Sequence, residues 1–139
     1  FYLSIFNQDI SNWDTSNVGS MSQMFWSNAA FNQPIGTWDT SSVTDVSYMF
    51  LGAASFDQVL SNWSLDSLNR TTSFALNSGF TQDNFKNTVI SFNNNTSNTA
   101  SFPTYLAFSP VLGPSSDNDY LTAYFNLEGK NFLIRDSDS

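Results

Sequence analysis

The chain has 139 residues, of which 40% are hydrophobic and 17% aromatic, and twelve acidic against four basic side chains leave it at −8. Its length is that of one ordinary domain, and four scattered cations (Arg70, Lys86, Lys130, Arg135) form no stripe able to displace nucleic-acid counterions or hold an anionic membrane surface. Cysteine and histidine are absent, no apolar run approaches the roughly 18 residues of a membrane span, and the 139 residues contain no signal-peptide pattern.

Residues Phe1 to Ile5 parallel Phe25 to Ala30, one residue shorter. The chain is therefore expected to start inside a repeat and to be a piece of a longer protein. From Phe6 the text repeats. FNQDISNWDTSNVGSMSQMFWSNAA is followed by FNQPIGTWDTSSVTDVSYMFLGAAS from Phe31 and FDQVLSNWSLDSLNRTTSFALNSG from Phe56, which puts Trp13, Trp38 and Trp63 25 residues apart. A fixed period of this length signals a solenoid, and 139 residues would hold about five such rungs.

Within a rung, Ile10, Trp13 and Thr15 take the L-x-x-L-x-L spacing of a leucine-rich-repeat strand. Val18, Met21, Met24 and Phe25 follow at i, i+3, i+6 and i+7, which predicts a short helical or 3₁₀ return. Stacking would bring like strands about 4.8 Å apart in a parallel sheet, with tryptophan on tryptophan and phenylalanine on phenylalanine in the core. The expected class is α/β: a leucine-rich-repeat-like right-handed solenoid of short parallel strands and helical or 3₁₀ returns, closed by a C-terminal α/β cap. Residues 1–79 are assigned to the rungs and 80–139 to the diverged capping module.

The text F-N-Q-D-I-S-N-W-D-T-S-N-V with M-S-Q-M-F, at Phe6 to Val18 and Met21 to Phe25, recurs at Phe31 to Val43 and Val46 to Phe50 with Pro34, Gly36 and Thr37 as departures. It resembles the BspA-like bacterial surface proteins, whose leucine-rich-repeat-like units are about 25 residues long. From 57 to 79 the match degrades: Ser64 replaces the aspartate after tryptophan, and Thr71 and Ala75 replace core residues. The resemblance implies secretion or surface display, roles in adhesion or host interaction, and no catalytic motif. Viral and protist proteins carry related repeats, so the source stays open.

Beyond Phe80 the register dissolves. Thr81 is a suitable N-cap for an amphipathic helix running to Phe92, with Asp83 at the positive end of its dipole. Asn93 to Asn98 reads as a polar loop, and Phe102 to Phe108 as a strand if Pro103 is its first residue. Ser115 or Ser116 would cap a second helix carrying Asp117 and Asp119 in its first turn and a stripe of Tyr120, Leu121, Tyr124 and Phe125. Gly129 and Lys130 stop it, Asn131 to Arg135 forms a strand, and Asp136 to Ser139 frays. This order resembles the terminal module of such arrays, whose task is to cover the last rung.

Catalysis finds few materials. Without histidine or cysteine there is no ordinary general base for a serine. Asp14 and Asp39 would lie one rung apart, about 5 Å, a spacing that retaining glycosidases use, but on an exposed face without a cleft. The expectation is a non-enzyme. Asp117-Asn118-Asp119 opens like a calcium loop yet lacks the glycine and distal glutamate, so helix-start acids explain it better, and no metal or cofactor is expected.

Recognition remains. In a strand the intervening residues face away from the core: Asn12, Asp14 and Ser16, then Thr37, Asp39 and Ser41, then Asn62, Ser64 and Asp66. This concave face, short-chained and acidic, suits a polar ligand such as a glycan or a basic patch on a protein of a cell surface, although a merely hydrated face has the same composition. Gln8, Gln33 and Gln58 recur beside Asn7, Asn32 and Asp57 and read as structural amide ladders. Sequons stand at Asn62, Asn69, Asn94 and Asn95; Asn94, in its expected loop, is the glycosylation candidate if the source is eukaryotic. The expected location is extracellular or at a cell surface. The expected role is adhesion or recognition, with a structural segment of a filament, cell coat or virion, self-assembling through open repeat ends, as the alternative.

Overall fold

The computed structural model describes residues 3–97, 104–107 and 118–135. Regular elements are confined to the C-terminal part: α1 (Gln82–Asn95), β1 (Thr104–Ala107), α2 (Asn118–Gly129) and β2 (Phe132–Arg135). The expected features at Phe1, Tyr2, Asn98, Phe102, Pro103, Phe108, Ser115, Ser116, Asp117 and the 136–139 tail lie outside the described residues.

The three repeats stack in register, and polar backbone groups make the joints. The amides of Met21, Gln23, Phe25 and Ser27 donate to the carbonyls of Asp45, Ser47, Met49 and Leu51 at 2.7–2.9 Å. Val46, Tyr48, Phe50 and Gly52 repeat the pattern toward Arg70, Thr72, Phe74 and Leu76 at 2.7–2.9 Å. Parallel bridges link Ser20 to Asp45 and Asp45 to Arg70. The ladder therefore runs through the segment whose spacing suggests a helix. No helical hydrogen bonding occurs there, and the Ile10–Thr15 segment is not a strand.

Turns explain the difference. Met24 N donates to Met21 O, Asn28 N to Phe25 O, Met49 N to Val46 O and Ala53 N to Phe50 O. The third residue of each of these turns is left-handed: Gln23 (φ 61°), Ser27 (53°), Tyr48 (59°) and Gly52 (70°), as type II turns require. One such turn every four residues returns apolar side chains to the same side nearly as often as a helix does. Further turns close Ile10 to Trp13 and Thr15 to Val18, and Ile35 to Trp38 and Thr40 to Val43.

Inside the stack the aromatics align. Phe31 lies 6.3 Å from Phe6 and 5.8 Å from Phe56, Phe25 lies 5.7 Å from Phe50, and Trp13 lies 6.3 Å from Trp38 with planes only 5° apart. Trp38 and Trp63 are buried, whereas Trp13 is 49% exposed. The column changes character in the third repeat. Ala75 stands where Phe25 and Phe50 stand, and the Phe74 ring packs edge-on against Phe50 at 5.5 Å and tilted toward Trp63 at 6.3 Å. Ala75 N meanwhile donates to Ala107 O of β1 at 2.9 Å.

The stacking is also tight enough to exclude a methyl group at Gly36 and at Gly79, where a Cβ would lie 2.4 Å from the Ala54 carbonyl oxygen. A Cβ on Gly36 would lie 2.2 Å from the Val59 carbonyl oxygen.

α1 begins as its sequence dictates, with Thr81 accepting from Asn84 N at 3.4 Å. Its buried face, Phe85, Thr88, Val89 and Phe92, follows helical spacing. Two threonines on α1 or just beyond it accept backbone donors of the last repeat: Thr88 Oγ1 from Leu60 N at 3.2 Å and Thr96 Oγ1 from Leu65 N at 2.9 Å. The helix continues through Asn93–Asn95, which the sequence marks as loop. Asn95 Nδ2 donates to Ser61 O at 2.7 Å, and Lys130 Nζ donates to the carbonyls of Asn93 and Thr96 at the helix end, where a cation suits the dipole. β1 and β2 pair in parallel, Thr104 opposite Phe132, with Ala123, Leu127 and Phe132 buried.

Candidate functional site

The nine face residues come from three equivalent stretches, one per repeat. In the second, Thr37, Asp39 and Ser41 are exposed while Trp38 and Thr40 between them are buried. In the first, Asn12 and Asp14 are exposed and Ser16 half-buried; in the third, Asn62 is exposed, and Ser64 and Asp66 half-buried. In the second repeat the outward alternation expected of a strand is thus present without a strand, whereas in the first Trp13, between Asn12 and Asp14, is itself exposed. Two turns flanking the aspartate produce the alternation, and buried threonines pin each stretch to the next. Thr15 Oγ1 donates to Asp39 O at 3.0 Å, and Thr40 Oγ1 to Ser64 O at 3.1 Å.

The aspartates are held by their own turns. Asp14 Oδ1 accepts from Ser16 N at 3.1 Å and Ser16 Oγ at 2.7 Å, and Asp39 Oδ1 from Ser41 N at 2.9 Å. The serine side-chain and then backbone hydrogen bonds hold both carboxyls below the usual aspartate range. For Asp39, desolvation and then the Asp14 charge push the other way. In the third repeat the order inverts: Ser64 Oγ accepts from Asp66 N at 3.1 Å, and Asp66 accepts from Ser97 N and Oγ at 2.9 Å. The face thus brings together two exposed carboxylates, each held by its own turn, and a third engaged by the segment after α1. The constellation can accept hydrogen bonds and attract cations. Among the described residues no group of three or more acidic side chains is arranged to hold a metal ion.

The glutamine columns are built differently from a glutamine-on-glutamine ladder. Asn7 Oδ1 accepts from Asn32 N and from Gln33 Nε2, both at 2.9 Å, and Asn32 Oδ1 accepts likewise from Asp57 N and Gln58 Nε2. Asp57 then receives Thr81 N and Oγ1 at 2.7 and 3.0 Å, so this column ends at the N-cap of α1. Each glutamine reaches back to the preceding asparagine, which makes the column structural.

Asn94 is exposed but lies in the last turn of α1, not in a loop, because the helix extends to Asn95. It borders a cleft of about 310 Å³ between α1 and α2 that Ile90, Asn93, Asp119, Thr122 and Ala123 also line. Sequence reasoning missed this cleft, since it depends on how two helices pair. Outside the nine face residues, the ladder segment carries a surface aromatic pair: Trp26 and Tyr48 stack at 5.6 Å.

The family described as "Mycoplasma protein of unknown function, DUF285" matches residues 1–88, which takes in all three repeats and the first half of α1. The chain belongs to this family. No curated protein and no solved structure matches it. The family match ends within α1 at residue 88, whereas hydrogen bonds with the last repeat continue beyond it, Asn95 donating to Ser61 O and Thr96 accepting from Leu65 N. No helix among the described residues is long and apolar enough to cross a membrane.

Proposed function

We infer that the chain is a non-enzymatic, surface-displayed or secreted recognition module, a leucine-rich-repeat-like solenoid akin to the BspA-like surface repeats. Its ligand is a glycan or a basic protein patch on a cell surface. One observation carries this reading: exposed short polar side chains recur at the repeat period, Asn12 and Asp14 above Thr37, Asp39 and Ser41. A periodic row of acceptors fits a ligand that is itself extended. The −8 charge of the chain favours a cationic partner through long-range attraction. The test is retention on a glycan array and on immobilised basic protein, comparing wild type with Asp14→Ala/Asp39→Ala. Loss in the double variant supports the face, and equal retention removes it.

A second reading is a structural segment of a filament, cell coat or virion. Concentration-dependent light scattering separates the two, because a stable monomer at high concentration contradicts the structural role.

A further inference from the structure

The cleft of about 310 Å³ between α1 and α2 takes Ile90, Asn93 and Asn94 from the first helix and Asp119, Thr122 and Ala123 from the second. Its volume is at the lower end of those that hold small molecules. On each helix the three residues fall at i, i+3 and i+4, so one face of each lines the space. Either face brings one apolar and two polar side chains.

The polar groups of this cleft are unspent. Among the described residues, the side chains of Asn93, Asn94, Asp119 and Thr122 take part in no hydrogen bond or ion pair; Lys130 Nζ engages only the main-chain carbonyl of Asn93, at 3.4 Å. The aspartate face differs in this respect. There Asp14 and Asp39 accept from the serines of their own turns, and Asp66 from Ser97.

The lining also selects a class of ligand. Two amides and a hydroxyl offer donors and acceptors alike, whereas a carboxylate only accepts. One carboxylate (Asp119) and one ammonium (Lys130, on the Asn93 carbonyl) stand at the walls, so the charges balance and neither an anion nor a cation is favoured. An uncharged polyhydroxyl ring matches this set. Its hydroxyls pair with both kinds of group, neighbouring hydroxyls can donate to the two oxygens of Asp119, and its C–H surface meets Ile90 and Ala123.

We propose that the cleft between α1 and α2 binds one neutral saccharide unit through Asn93, Asn94, Asp119 and Thr122. The site is separate from the Asp14–Asp39 face and stands whether or not that face holds a ligand.

The test titrates the isotope-labelled full chain with glucose, galactose, mannose and N-acetylglucosamine, following the side-chain amide signals of Asn93 and Asn94 by NMR. At least one of the four sugars should shift both signals saturably. Asp119→Ala should weaken that binding at least about tenfold and Thr122→Val about threefold. Both positions are exposed, so helical circular dichroism should be unchanged; Thr122→Val, which removes only the hydroxyl, decides if Asp119→Ala lowers it. Asp14→Ala/Asp39→Ala should bind as wild type does. Four results overturn the proposal: no saturable shift with any of the sugars, affinity undiminished in both cleft variants, affinity lost only in Asp14→Ala/Asp39→Ala, or tetramethylammonium chloride binding the cleft more tightly than every sugar.

Discussion

Trp38 donates its indole Nε1–H to the carbonyl of Ile10 at 3.1 Å, and Trp63 does the same to Ile35 at 3.1 Å. The hydrogen bond spans one repeat boundary, so each buried tryptophan both fills the core of its own repeat and satisfies a backbone acceptor in the previous one. Trp38→Ala should cost roughly 3–5 kcal/mol through the cavity it leaves. Trp13→Ala, at a half-exposed site, should cost well under half as much. Urea denaturation of the two variants checks this, and equal losses would mean that the indoles do not share one interior.

Gly36 and Gly19 make a sharper pair. Gly19 has open space where a Cβ would go, whereas at Gly36 the Val59 carbonyl oxygen is 2.2 Å away. Gly36→Ala is expected to destabilise by about 1–3 kcal/mol as an overpacking change, and Gly19→Ala to stay within about 0.5 kcal/mol of wild type. Thermal unfolding of both variants gives the answer.

The repeat and its buried columns are readable in the sequence because large aromatics return every 25 residues. The backbone path is not, since Val18, Met21, Met24 and Phe25 satisfy a helical template equally well when type II turns recur every four residues. A signal does exist in the column of Ser27, Gly52 and Asn77, all left-handed: a glycine and an asparagine there mark positive φ. Tyr48 and Gln23 occupy the other left-handed column and hide it. Of the face, the outward row was legible from alternation alone. The engagement of Asp66 by Ser97 was not, because it depends on where the chain leaves α1. The longer α1 has the same origin: asparagine is a weak helix former, and Asn95 and Lys130 hold the extra turn through tertiary hydrogen bonds.

Thr96 and Thr88 couple the C-terminal part to the last repeat. Thr96→Val leaves the buried Leu65 amide without its acceptor and should cost about 1–3 kcal/mol. If the two parts fold together, fluorescence of the tryptophans and helical circular dichroism will shift by the same amount. A shift in the helical signal alone would mean that they unfold separately.

Asp14 and Asp39 titrate below the usual aspartate range, chiefly through the Ser16 and Ser41 hydrogen bonds. With the folded value below the unfolded one, their contribution to stability is present above the unfolded pKa. It is lost as pH falls through the folded pKa. Carboxyl NMR titrations should show Ser41→Ala raising the Asp39 midpoint and Asp14→Asn lowering it further by removing a like charge. A midpoint indifferent to Asp14→Asn would separate the two carboxylates in space.

Scalar couplings across hydrogen bonds test the stacked register most directly. The amide nitrogens of Met21, Gln23, Phe25 and Ser27 should couple to the carbonyl carbons of Asp45, Ser47, Met49 and Leu51, one repeat onward. Coupling instead to carbonyls four residues earlier in the chain, the pattern of an α-helix, would contradict the ladder and the outward face that depends on it.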